Sequence, residues 1–586
     1  MYNQSTVTIT EALKIIQGAP ADRPSFFVTL ACGFTPLHVQ TFLAARLQQA
    51  LPDRKVVVTP GLFGNLAGTV EEIKDPTIDG LAIVLEWPDL DARLDFRSAG
   101  AWGSNAAADV VATVKARLDG LLVALSKVPP GVRVGISLPS LPLPPLFHTP
   151  GWLASEYDLL LGSEVLNFAA QVAQSGRGAV LNPQRALETS PSSLSFDFKS
   201  YLHAGLPYTT TYADQVSSQL ALALLPPSPK KGIISDLDDT LWSGIVGEVG
   251  PENVTWDIAS HNQLHGLYQK LLASLAGSGT LIGIASKNDP GVVSQAFARQ
   301  DLLLRSESVF PVEVHWNAKS GSVSRILETW NIAADSVIFV DDSPMELAEV
   351  AAAHPGIECV LFPKNDIGAG LAMLRRLRDL CGKERVSADD ALRLESIRRA
   401  SAFREQATDG AAPESFLAQA EATLTFDFGS ADKPRVLELV NKTNQFNLNG
   451  RRFTDAEWRR LASQPEAIVV AVSYEDKFGP LGTIGVVAGA IDGKCLAVES
   501  WVMSCRAFAR RIEHQTLKML FENTGVDEVR FDFLATAKNG PLQDFIAAII
   551  GDRPTTEFRV SRDQFDRSCP ALYHKVREMR RVEIDG

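Results

Sequence analysis

Lys231-Gly-Ile-Ile-Ser-Asp236-Leu-Asp238-Asp239-Thr240-Leu-Trp242 is the stretch on which the reading of this chain turns. A short apolar run leads into Asp-x-Asp-x-Thr, the pattern of a buried strand that delivers two carboxylates to the loop beyond its end. That placement suits phosphoryl transfer. Asp236, at the strand end, is placed to attack phosphorus and become an aspartyl phosphate. Asp238, two residues on, is the candidate acid for the leaving oxygen and the candidate base for water. Thr240 supplies a hydroxyl that fixes the loop on the phosphate side. Carboxylates this close repel one another unless a cation neutralises them, so the pattern predicts Mg²⁺ bound by oxygens.

Two more apolar runs extend the pattern. Leu281-Ile-Gly-Ile-Ala285 ends in Ser286-Lys287-Asn288, and Val337-Ile-Phe-Val340 ends in Asp341-Asp342-Ser343-Pro344. Between them, Lys319 precedes a helical pattern. Each candidate falls at the C-terminal end of a predicted parallel strand or at a helix start, where open α/β sheets bind ligands. Ser286 is a hydrogen-bond donor for a phosphoryl oxygen, and Lys319 offsets its charge in the transition state. Asp341 or Asp342 completes a metal site with Asp236 and the backbone carbonyl of Asp238. These four elements, in this order, resemble the signature of the haloacid dehalogenase (HAD) phosphotransferases.

Bulk properties set the frame. A chain of 586 residues makes three or four domains, and helix-period segments alternating with β-branched strands predict α/β architecture throughout. The net charge of −13 and scattered basic residues argue against nucleic acid as a partner. No apolar run reaches membrane-spanning length, and Met1-Tyr-Asn-Gln-Ser has no signal-peptide pattern, so the expected location is cytoplasmic. Cys32, Cys359, Cys381, Cys495, Cys505 and Cys569 are far apart and suggest neither disulfides nor a zinc site. A proline-rich hinge, Leu225-Pro-Pro-Ser-Pro-Lys-Lys231, and a charged helical stretch from about 382 to 405 mark boundaries. The expected division is 1–228, 229–384 and 385–586.

The middle domain has room after Thr240 for a flap and one helix at 263–276, but for no inserted cap. In the first domain, strands at 26–32, 56–59, 81–86 and 132–138 interleave with helices at 37–49 and 106–125. That layout resembles a flavodoxin-like or SGNH-hydrolase sheet. The Gly-Asp-Ser and Asp-x-x-His patterns of an active SGNH site are absent, which leaves Cys32 or Thr35 with His203 as a non-standard pairing. His261 and His265 have ligand-like spacing but no third ligand nearby in sequence, and read as one polar helix face.

Asp236-Leu-Asp-Asp-Thr-Leu-Trp-Ser-Gly-Ile-Val-Gly-Glu, Ala-Ser286-Lys-Asn288 and Val-Asp341-Asp342-Ser-Pro344 together resemble the FkbH-like, capless HAD-IIIC family. So do 441–448, the run Trp501-Val-Met-Ser504-Cys505-Arg506 and the segment from Leu85. The resemblance implies phosphatase chemistry on a small phosphorylated acid of the phosphoglycerate type, coupled to glyceryl transfer onto an acyl carrier protein. Such a transfer would be expected to use a cysteine. Ala285 occupies the place before Ser286, so Cys505 is the remaining candidate thiol. The region 385–586 resembles a GNAT-like acyltransferase, with a meander at 467–474, 483–489 and 495–502, a helix at 512–523 and a strand at 527–533. Arg506, Arg510 and Arg511, with Asn444 in the amide-rich 441–447 cluster, are then candidates for holding phosphopantetheine or CoA. Ala509 and Arg511 stand where that family's phosphate loop carries small residues. Two other classes remain open: a CoA- or carrier-dependent N-acyltransferase with a vestigial HAD domain, and a non-catalytic carrier-protein docking scaffold using Arg451-Arg452 and Arg459-Arg460.

Overall fold

The short β-branched runs of the sequence become strands of three sheets in the computed structural model. It describes residues 6–20, 22–75, 77–98, 107–145, 149–185, 195–387, 390, 392–408, 413–443, 446–477, 479–504, 507–508, 510–536 and 539–580. The chain divides into two compact units, Met1–Pro227 with Phe453–Arg460, and Ser228–Arg452 with Leu461–Gly586.

In the first unit, β1 (Ser25–Cys32), β2 (Lys55–Pro60), β3 (Gly80–Val84), β4 (Arg133–Ser137) and β5 (Ala179–Val180) form a parallel sheet in the order β2-β1-β3-β4-β5. This is the flavodoxin-like order. Leu81 and Ile83 join one apolar cluster, while Ala82 and Val84 join another, because successive side chains leave opposite faces of a strand. Helices then cover both faces, which is why β3 reads as an unbroken apolar run. The Cys32 thiol is buried, donates to the Phe34 carbonyl, and is pushed up to about 12 by burial and by Asp89. Thr35 donates to the Ala204 carbonyl, and His203 is exposed on the helix Phe198–Ala204. Cys32 and Thr35 are each committed to a backbone carbonyl, and no hydrogen bond joins either to His203 among the described residues.

The second unit begins with a parallel sheet of β6 (Gly232–Ser235), β7 (Leu281–Ser286), β8 (Val309–Val314), β9 (Val337–Asp341) and β10 (Glu358–Leu361), ordered β10-β9-β6-β7-β8. From β6 the chain builds outward through β7 and β8, then returns to the other side of β6 for β9 and β10. The order reverses at β6, so a crevice opens beyond its C-terminal end. The helix Lys319–Trp330 lies across this sheet on a specific seat. A Cβ at Gly232 would meet the Trp330 ring at 2.5 Å and one at Gly283 at 2.8 Å, so only glycine lets the indole lie flat on β6 and β7. The Trp330 Nε1–H donates to the Phe310 carbonyl at 2.7 Å. After Thr240 there is no cap: the chain makes the short helix Val246–Val249, a Ser243–Thr255 bridge and then the helix Gln263–Gly277.

The rest of this unit carries β11 (Thr423–Phe428), β12 (Phe446–Asn447), β13 (Ala467–Asp476), β14 (Gly479–Asp492), β15 (Cys495–Met503), β16 (Glu528–Phe531), β17 (Phe558–Ser561) and β18 (Lys575–Arg580). They form one sheet, β17-β16-β15-β14-β13-β11-β18, with β12 on β15. β13, β14 and β15 are an antiparallel meander, and the helix Ile512–Thr524 carries the chain to β16, parallel to β15. β15 and β16 pair only from Cys495 to Val498 on β15. Beyond that, β12 pairs with Val502 and Met503, Leu448 N–H donates to Trp501, and Leu534 N–H donates to Leu448. The gap between the two parallel strands is therefore filled by the chain's own Phe446–Leu448 segment. Among the described residues, no helix is long and apolar enough to cross a membrane.

Trp330→Ala should remove the contact that seats the helix bearing Lys319. A loss of about 3–5 kcal/mol is expected for a buried Trp-to-Ala change. It should be read as a lowered urea midpoint, with Gly283→Val moving in the same direction.

Candidate active site

The crevice beyond β6 gathers side chains from three strand ends and one helix start. Asp236 follows β6 directly, Ser286 ends β7 and Asp341 ends β9, all buried. Lys319, the first residue of its helix, projects among them and is only 3% exposed. Its ammonium lies 2.9 Å from Asp236 Oδ1 and 2.7 Å from Asp341 Oδ2, and also meets Glu346 Oε2. Lys287 approaches the other Glu346 oxygen at 2.9 Å. Ser286, beside Asp236, favours its charged form.

Electrostatics follow from burial. Asp236 is pushed up to about 6, since burial outweighs the help of Lys319 and of the hydrogen bonds it accepts. Asp341 is pushed up to about 7 by burial and by the neighbouring Asp236 charge. Burial opposes the Lys319 ammonium, but Asp236 and Asp341 more than offset it, and its pKa rises. Glu346 moves the other way: despite burial, its bond to Lys319 holds it below the usual carboxylate range.

Carboxylate oxygens of Asp236, Asp341 and Glu346 lie within 4.8 Å of one another. Three hard oxygen donors without sulfur or imidazole, sharing one ammonium, fit a small divalent cation such as Mg²⁺. Glu346 was not among the sequence candidates. In the sequence it reads as the third helical residue after the cap Ser343, and its N–H does approach the Ser343 hydroxyl at 3.5 Å, so a capping role masked it.

Asp238 sits in a different setting. Its Oδ1 accepts from Trp242 Nε1 at 2.9 Å and from Val246 N–H at 3.1 Å, and its Oδ2 from Asn288 Nδ2 at 2.9 Å. Asn288 also donates to the Ser286 hydroxyl at 3.3 Å, linking the β6 and β7 loops. The Asp238 carboxylate therefore stands apart from the three-carboxylate cluster, and only its backbone carbonyl remains a metal candidate. Asp239 takes a left-handed conformation (φ 52°), held by Gly244 N–H at 2.9 Å. The Thr240 hydroxyl is buried and finds no hydrogen-bond partner among the described residues. The Thr240 carbonyl fixes the loop instead, accepting from His265 Nδ1 at 3.0 Å. His265 is buried against Phe362, and His261 precedes the helix with φ 59°, so the two do not share a polar face.

Asp342 does not join the cluster. Its carboxylate meets Lys364 at 2.7 Å, and the same ammonium meets Asp239 at 2.9 Å. Asp342 lies one residue past the end of β9, and its carboxylate is engaged by Lys364 rather than by Lys319.

Cys505, Arg506 and Asn444 lie outside the described residues. Arg511 has φ 58° and points to the Ala571 carbonyl at 2.8 Å and to Glu414 at 3.2 Å. Arg510 is buried, with its guanidinium 5.4 Å from the centre of the Tyr474 ring. Both arginines are thus engaged by their own fold. Arg451 pairs with Glu499, and Arg452 donates to the Val440 carbonyl.

Because Asp236 and Asp341 hold protons up to about 6 and 7, Mg²⁺ must displace them at acidic pH. Mg²⁺ affinity should fall as pH drops from 8 to 5.5. Calorimetry in buffers of differing ionisation heat should show proton release near pH 6 and little at pH 8. In the metal-free protein, raised folded-state values favour the protonated fold. This contribution is present below the ordinary carboxylate range and lost as pH rises through about 7.

No protein-family profile matches this chain, and no curated protein matches it. Among solved structures, it is similar to the N-terminal part of the protein BF1531 from Bacteroides fragilis, containing a phosphatase domain complexed with Mg. Identity is 20%, the TM-score is 0.51, and the match covers 65% of this chain and 100% of that one. A second likeness, to an uncharacterized protein from Corynebacterium glutamicum, has 19% identity over 26% of this chain and 98% of that one. Its TM-score of 0.19 is too low to bear on the fold. The first likeness agrees with a mixed α/β chain of parallel sheets and several domains.

Proposed function

We propose that this protein is a Mg²⁺-dependent phosphohydrolase of the HAD type. The observation that carries the reading is the buried Lys319 ammonium, held by Asp236 at 2.9 Å and Asp341 at 2.7 Å beside Ser286 in the switch-point crevice. The Bacteroides fragilis structure supports it, since its phosphatase domain was complexed with Mg.

Asp236 Oδ attacks phosphorus, and the leaving oxygen departs with a proton from Asp238. Water then attacks the aspartyl phosphate, gives its proton to Asp238, and releases phosphate with the carboxylate restored. Ser286 and Lys319 hold phosphoryl oxygens and offset their charge. Trp242, Val246 and Asn288 aim Asp238. Mg²⁺ held by Asp236, Asp341 and Glu346 would neutralise the charge that builds on the transferring group.

The substrate is a small phosphorylated acid of the phosphoglycerate type. Transfer of the glyceryl group to an acyl carrier protein is an extension that rests on the family resemblance, with Cys505 as its candidate thiol. We read the second unit as two domains, a phosphatase core and a GNAT-like sheet, and place the chain in the cytoplasm. The acyltransferase alternative gains nothing from the geometry, because Phe446–Leu448 fills the opening between β15 and β16. The docking-scaffold alternative gains nothing from the Arg451-Arg452 pair, which already has partners.

Phosphate release from a panel of small phosphoesters and acyl phosphates should need Mg²⁺. It should fall by about a thousandfold or more in Asp236→Asn, as for loss of a nucleophile. Asp238→Asn should slow it by about 10²- to 10⁴-fold. Release unaffected by Asp236→Asn would sink the reading.

A further inference from the structure

We propose that Lys364 is a positioning residue that holds Asp342 and Asp239 aside, so that Asp341 alone of the Asp341-Asp342 pair faces Asp236 and the divalent cation. The inference rests on the phosphohydrolase reading for its kinetic half only. Lys364 lies in the loop after β10, outside every motif singled out in the sequence. That loop touches both halves of the site. Phe362 N–H donates to the Asp341 carbonyl at 2.8 Å, and the Phe362 ring stacks on His265, which holds the Thr240 carbonyl. Two residues on, the Lys364 ammonium bridges Asp342 at 2.7 Å and Asp239 at 2.9 Å.

The side chains of Lys364, Asp239 and Asp342 are 38%, 30% and 17% exposed. Water screens such pairs, so the bridge contributes little to stability. Its consequence is directional. Without the ammonium, two unpaired carboxylates would stand beside a cluster that is already anionic. Asp342, one residue from Asp341, would be free to turn and compete for the cation. The Asp239 turn that aims Asp238 would lose its outer anchor, while Gly244 N–H alone still held it. Removing Lys364 should therefore tighten metal binding while slowing the chemistry, whereas a merely structural lysine would weaken both.

The test uses the full chain, with Mg²⁺ calorimetry and phosphate release for wild type, Lys364→Met, Lys364→Arg and the double variant Lys364→Met/Asp342→Asn. Lys364→Met should bind Mg²⁺ about three- to tenfold more tightly, the effect of one added net charge at this range in partly screened surroundings. Its kcat should fall by about tenfold, the scale of a supporting residue around a metal site, with KM little changed. Lys364→Arg should restore both, and Asp342→Asn should return Mg²⁺ affinity toward the wild-type value. Unchanged or weaker Mg²⁺ binding in Lys364→Met overturns the proposal, as does tighter binding that persists in the double variant. If no chain releases phosphate, the pattern of Mg²⁺ affinities still decides the role of Lys364 while the phosphohydrolase reading falls. A wild type that binds no Mg²⁺ overturns both.

Discussion

An ammonium buried among three carboxylates is the interaction on which the middle of this molecule depends. Taking Lys319 out of water is costly, and only close pairing with hydrogen bonds offsets it. Asp236, Asp341 and Glu346 supply the pairing from two strand ends and one helix. The balance is incomplete in chemical terms: the Lys319 ammonium serves three carboxyl groups and Lys287 reaches only Glu346, so Asp236 and Asp341 keep protons to unusually high pH. Much of the surrounding packing serves to keep that cluster in place. The two glycines under Trp330 let the helix of Lys319 lie close to the sheet, and the parallel pairing of β6 with β9 sets Asp236 beside Asp341.

Two aspartates two residues apart thus acquire different environments from one loop. Asp236 is enclosed and shares the Lys319 ammonium with Asp341 and Glu346. Asp238 accepts from three N–H donors, two of them on the flap that follows it. Assigning different chemical roles to neighbouring carboxyl groups by surroundings alone is how one fold performs nucleophilic and acid–base work at one pH. The left-handed turn at Asp239 separates the two settings, and a short polar residue is the type of non-glycine side chain that tolerates it.

The positions of Asp236, Ser286, Lys319 and Asp341 were legible because each follows a β-branched run or opens a helical pattern. Strand ends in an open parallel sheet converge by topology. Four strands and two helices of the first unit were also legible, to within a residue or two, from the same periodicity, whereas β5 and the helices after it were not read. What was not legible depends on side chains brought together by packing. Glu346 carried the signature of a helix cap, and Lys364 sits in a loop with no motif at all. His265 looked like half of a polar helix face because sequence spacing cannot show that Phe362 covers it. Thr240 was read through its hydroxyl, whereas its carbonyl makes the anchoring bond. The gap between β15 and β16 could not be seen to be filled, because the two-residue strand that fills it is too short to have a period.

The register of β6 on β9 reaches further than the placement of two side chains. Ser235 pairs with Val340, so the next residues along each strand are Asp236 and Asp341. Their backbones are held at the ladder spacing of neighbouring strands, about 4.8 Å. The gauge of the site is therefore written in main-chain hydrogen bonds, which no side-chain substitution readily stretches. Such a gauge suits an ion of small radius and octahedral habit. The distance between the two carboxyl-bearing backbones is then a property of the sheet rather than of the residues that line it.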